Sequence, residues 1–170
     1  MNQSVERLNE QSAHAAEAEF LKCCGSTRWA RLMTASRPFR SGAEILQRAD
    51  QLCSLLSEDD WLEAFRAHPK IGEKKAAAVQ SEQAQTWSAQ EQSGVADAAS
   101  AIKAALAEAN REYEQRFGFI FIVCATGKSS EEMLRILQVR LRNDRAVELG
   151  IAAEEQSKIT RLRLEKLLTL

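Results

Sequence analysis

Histidine stands before proline once in this sequence, in AHPKIGE at residues 67–73, and His68 and His14 are its only histidines. Proline disfavours the α conformation in the residue before it, so His68 is expected at the very end of a helix, its ring projected at a turn that Gly72 lets reverse. A helix C-terminus favours an imidazolium, and imidazole titrates near neutrality, so the position suits a general acid or base. It equally suits a surface histidine that only caps a helix. Zinc needs three or four ligands, and His14 in SAHAAEAE has no spaced partner, so no metal site is expected.

A second cluster is WSAQEQSG, residues 87–94. Ser88 and Glu91 have the S-x-x-E spacing of a capping box that would open a long helix. A helix N-terminus offers free N–H groups and partial positive charge, a seat for a carboxylate or ureido oxygen, with Glu91 and Gln92 placed to meet the donor edge of a polar substrate. A third is KITRLRLEKLL, residues 158–168, where Ile159, Arg163 and Leu167 lie four apart on one stripe and Arg161 points elsewhere. An arginine on an inward face has an anionic partner, either a structural carboxylate or a bound one. Cys124 reads as a small core residue, because no activating base is adjacent in sequence.

Helices must position these groups. Ala, Leu, Glu, Gln and Arg dominate, and glycine and proline are scarce. Ile102, Leu106, Ala109, Tyr113 and Phe117 line one face of a helix across residues 95–117, stopped by Gly118. Ser129 with Glu132 opens another over 131–145, striped by Met133, Ile136, Leu137 and Leu141, and a further one follows at about 152–168. Ser41 with Glu44 opens AEILQRADQLCSLL; residues 61–68 form a short amphipathic helix ended by Pro69; segments near 13–24 and 27–35 are helical too. The exception is FGFIFIVCATGKS, residues 117–129, an apolar run between glycines that reads as a buried extended segment near 119–125. One strand makes no sheet, so its backbone groups must find other partners or a ligand.

The expected fold is therefore all-α: one compact helical domain over residues 1–170, with no repeat or linker dividing it. A net charge of −1 gives no basic field for nucleic acid or an anionic membrane surface. No run approaches a membrane span, the N-terminus is too polar for a signal peptide, and LeuThrLeu at the end is not a peroxisomal address. Four cysteines without a CxxC pair read as reduced thiols in the cytoplasm.

Taken in order, FLKCCGSTRWARLM, RPF, WLEAFRAHPKIGE, WSAQEQSG, YEQRFGFIFIVCATGKS and RLRNDRAVELGIAAEEQSKITRLRL make the chain resemble the 2-oxo-4-hydroxy-4-carboxy-5-ureidoimidazoline (OHCU) decarboxylases of the urate-to-allantoin pathway, over nearly its whole length. The resemblance implies an all-helical domain, usually a homodimer, that decarboxylates a small ureidoimidazoline without metal or organic cofactor. It implies His68 as catalytic acid/base with Glu91, Pro69 lining the site, and Ser88, Ala89, Gln90, Glu91 and Gln92 binding substrate. It further implies that the backbone of Phe121, Ile122, Val123, Cys124 and Ala125 hydrogen-bonds the heterocycle and that Arg163 holds an oxygen; RLRL offers Arg161 too, and only the helical face selects Arg163. The alternative is a non-enzymatic helical interaction module, with RFGFIFIVC as a dimerisation stretch. A metal-dependent ureide hydrolase is a third reading, which two histidines without ligand spacing disfavour.

Overall fold

A computed structural model describes residues 3–72, 81–96 and 100–169, with side chains absent from the description at 95 and 96. Among these residues the regular structure is entirely helical, which bears out the all-α expectation. The helices are α1 (Gln3–Glu10), α2 (Ala13–Cys24), α3 (Thr27–Ala35), α4 (Gly42–Cys53), α5 (Glu58–Arg66), α6 (Glu82–Glu91), α7 (Ser93–Ala96), α8 (Ser100–Phe117), α9 (Ser130–Arg140) and α10 (Arg145–Thr169). Chain contacts divide into two units, one of residues 1–64 with 157–170 and one of residues 65–156. Among the described residues no helix is long and apolar enough to cross a membrane.

In the first unit Phe20 lies between Trp29 and Phe39, with both ring pairs edge-on at 6.2 Å. Val5, Leu8, Met33, Ile45 and Leu164 are fully buried in the same unit. Three of its helices begin where a serine hydroxyl accepts a free amide: Ser12 for Ala15, Ser26 for Trp29 and Ser41 for Glu44. The Ser41 start was expected from its spacing with Glu44, whose carboxylate in turn accepts the Arg40 N–H at 2.6 Å. The RPF block serves structure here. Arg37 Nη1 donates to the carbonyls of Leu8 and Gln11 at 2.7 and 2.8 Å, satisfying the open end of α1.

The second unit is built around aromatic rings. Tyr113 contacts Phe117, Phe119 and Phe121 at centroid distances of 4.7, 5.9 and 5.4 Å, and Phe65 meets Phe119 at 5.5 Å. The stripe expected along residues 95–117 is real from Leu106 onward: Leu106, Ala109, Tyr113 and Phe117 are buried. Gly118 ends α8 at φ 79°, a left-handed conformation that a side chain would strain, and its N–H closes on Glu114 O at 2.9 Å.

Around residues 140–152 the helix boundaries differ from those expected. The helix expected over 131–145 stops at Arg140, because Arg142 and Asn143 close tight turns onto Val139 and Arg140. The following helix starts at Arg145, well before 152, with Glu148 N–H bonded to Asp144 O.

Candidate active site

His68 follows α5 in a turn, its N–H bonded to Phe65 O at 3.1 Å, as the proline after it requires. The ring is half-buried, and its Nε2 is closed to solvent. Three groups of the second unit hold the turn that follows. Lys70 pairs with Glu114 at 2.6 Å, Asn110 Nδ2 donates to Ile71 O at 3.0 Å, and Gly72 N–H donates to Gln92 Oε1 at 3.1 Å. Pro69 is half-buried. Glu73, the last residue of AHPKIGE, lies outside the described residues.

The expected capping box at Ser88 is overturned. The helix starts seven residues earlier, at Ser81, whose hydroxyl accepts the Ala84 N–H, and Ser88 to Glu91 form its last turn. The helix-forming run EQAQTW lets α6 extend upstream, and S-x-x-E spacing arises in a helix body as readily as at its start. Ser88 to Glu91 therefore present no helix N-terminus; Ser88 instead offers its carbonyl to Gln92 N–H at 3.1 Å. Helical period also divides the run. Ser88 is buried, Glu91 and Gln92 are half-buried, and Ala89 and Gln90 are exposed on the other side.

Gly94 joins this block to the next. A Cβ there would stand 2.4 Å from Lys128 O, so only glycine admits that approach, and Ser130 Oγ donates to Gly94 O at 2.9 Å. The buried segment thus arrives beside the end of α6. Burial pushes the Cys124 thiol up, the carboxylates of Glu155 and Glu91 push the same way, and Lys128 opposes them. Cys124 is consequently a neutral core thiol, as expected, and Glu91 is close enough to be felt there.

Residues 119–125 form neither helix nor strand, and all but Ile120 are buried. Ala125 O accepts the Lys128 N–H at 3.0 Å, and the other backbone partners are charged side chains. Arg140 Nη1 donates to Ile122 O at 2.7 Å, Cys124 N–H donates to Glu155 Oε2 at 2.7 Å, and Lys128 Nζ donates to Cys124 O at 2.8 Å. Arg140 is itself locked: it pairs with the fully buried Glu148 at 2.6 Å, lies 4.7 Å over the Phe121 ring, and shares Glu148 with the Tyr113 hydroxyl and Asn143. Burial raises the Tyr113 hydroxyl far beyond the ordinary phenol range, so it remains a donor to Glu148.

None of Arg140, Glu148, Glu155 or Lys128 was singled out from the sequence. Arg140 carried the same signal that selected Arg163, an arginine in register with buried apolar positions, here Met133 and Leu137.

Arg163 belongs to the first unit, where it is 2% exposed and donates to Lys22 O at 3.3 Å. Arg161 lies on the surface, paired with Asp50 at 3.1 Å and Glu165 at 3.5 Å. The helical face thus separates the two arginines as the spacing implied. The remaining site candidates, His68 to Ala125, all belong to the second unit.

The family model described as OHCU decarboxylase matches residues 9–165. A uric acid degradation bifunctional protein of Arabidopsis thaliana is 41% identical over 89% of this chain, and the chain spans only 47% of it. Of a second such bifunctional protein, from Bacillus, the chain spans 32% at 26% identity. An OHCU decarboxylase of Haloferax volcanii is 27% identical over 95% of this chain and 92% of its own length. The crystal structure of an OHCU decarboxylase in the presence of (S)-allantoin superposes with a TM-score of 0.77 at 38% identity, covering 89% of this chain and 98% of that one.

Proposed function

The chain belongs to the OHCU decarboxylase family, and from that premise we propose that it converts 2-oxo-4-hydroxy-4-carboxy-5-ureidoimidazoline to (S)-allantoin and CO2, acting as one domain over its 170 residues. One observation carries this reading. Three separated blocks are tied together in the second unit, by the bonds from Gly72 to Gln92 and from Ser130 to Gly94.

The chemistry suits these residue types. When the bond to the carboxylate breaks, its electron pair enters the adjacent ring imine, so the substrate carries its own electron sink and no cofactor is called for. The hydroxyl on the same carbon then gives up its proton as the carbonyl forms, and the neighbouring ring carbon takes one. One proton is consumed for each CO2 released. His68 and Glu91 serve the hydroxyl side, and His68 delivers the proton to one face of the ring carbon, which sets the (S) configuration.

The carboxylate leaves as a neutral molecule, so a firm grip on it would stabilise the ground state and slow the reaction. Arg163 is therefore assigned to the ureido or ring carbonyl. Ser88, Gln92, Pro69 and the 121–125 backbone complete the binding set, with Ala89 and Gln90 on the same run. The working form is a cytoplasmic homodimer, consistent with four free, buried thiols.

The test is CO2 release and circular dichroism of the product from freshly generated substrate. Wild-type protein gives one enantiomer at a rate unaffected by chelator, and His68→Ala loses roughly 10²- to 10⁴-fold in kcat. Wild-type rate and stereochemistry from His68→Ala would remove the histidine from the mechanism.

A further inference from the structure

In the buried segment alternate residues are tied: Ile122 O by Arg140, Cys124 N–H by Glu155 and Cys124 O by Lys128. The N–H and C=O of Phe121 and Val123 and the N–H of Ala125 make no hydrogen bond to any described residue. Buried backbone groups are almost always paired in a working protein. Val123 is 4% exposed and lies between the two tied residues.

We propose that Arg140 and Glu155 are positioning residues that clamp alternate peptides of this segment, and that the N–H and C=O of Val123 are the pair so presented to the ligand's ring. The proposal rests on the decarboxylase reading, which already gives this backbone to the heterocycle, and adds to it the side chains that hold the cradle in place. Neither clamp needs to touch the substrate. Arg140 is braced by Glu148, Tyr113 and the Phe121 ring, and Glu155 reaches the segment from α10.

A clamp that only presents binding groups acts on ground state and transition state alike, so its loss raises KM and spares kcat. Glu155→Ala is expected to raise KM about tenfold with kcat within about threefold of wild type. Glu155→Gln, which keeps an acceptor for the Cys124 amide, restores KM to within about threefold. Arg140→Lys, which keeps positive charge beside Glu148 but not the branch that reaches Ile122, moves KM in the same direction.

Amide exchange of the wild-type protein reads these groups directly. Saturating (S)-allantoin slows the Val123 amide at least about tenfold, while the Cys124 amide, already bonded to Glu155, changes by less than about threefold. An unchanged KM in Glu155→Ala, equal damage in Glu155→Gln, a collapse of kcat with a displaced pH profile, or an unprotected Val123 amide in protein that turns substrate over would each overturn the proposal alone. Wild-type protein that releases no CO2 would remove the decarboxylase reading and this proposal with it.

Discussion

Residues 37–39 and residues 121–125 both run outside the helices, yet their backbones are handled in opposite ways. Asn9 takes both groups of Phe39, accepting its N–H and donating to its carbonyl, each at 2.8 Å. The neutral amide leaves neither group of Phe39 over. Around Val123 the tethers are charged, they fall on residues 122 and 124, and the residue between them keeps both its groups. A closed segment holds helices in register, and a segment tied at alternate residues holds itself ready for something else.

Gly94→Ala tests the tied segment most severely. The new methyl meets Lys128 O, a backbone atom that cannot swing away, so a loss of about 1–3 kcal/mol in denaturant stability is expected, together with a raised KM. Unchanged KM in a folded variant would mean that the seat of residues 126–130 does not matter to the ligand. Asn9→Ala tests the closed segment. It leaves both Phe39 groups unbonded, with an expected cost of about 1–2 kcal/mol and no change in KM. A KM that rises in this variant would erase the distinction between the segments.

The smallest effect is a titration. Burial first, then the neighbouring Cys53, pushes the Cys24 thiol up to about 12, whereas an unfolded thiol ionises near ~8.5. Between those values the folded chain keeps a proton that the unfolded chain releases, so stability falls as pH rises through the window and is insensitive to this group below it. Denaturant midpoints at pH 8 and 10.5 measure the loss, and Cys24→Ala should reduce it. A flat profile would exclude buried neutral thiols as a source of stability.

Much of this architecture was legible because it is written in local signals. Ser41 and Ser129 each accept the amide three residues on, and the stripe from Leu106 to Phe117 faces inward, because hydroxyl capping and the 3.6-residue period need only near neighbours. The same locality misled at Ser88, where the spacing fits a cap but Ser81 takes that role. The apolar run at 119–125 was recognisable as buried and lacking a sheet partner. Its tethers were not, because Arg140 and Glu155 lie 18 and 31 residues from the groups they bind, and no periodicity encodes such a pairing. Among site residues, His68 was placed by its proline, while the Gln92 to Gly72 bond that steadies its turn depends on folding across 20 residues.

The contact at Gly94 has a mechanical corollary. Lys128 carries both the carbonyl that Gly94 abuts and the ammonium that donates to Cys124 O, so one residue links the end of α6 to the buried segment. A series of alanine, serine and valine at position 94 measures how far crowding at that carbonyl is felt at the peptide beside Val123.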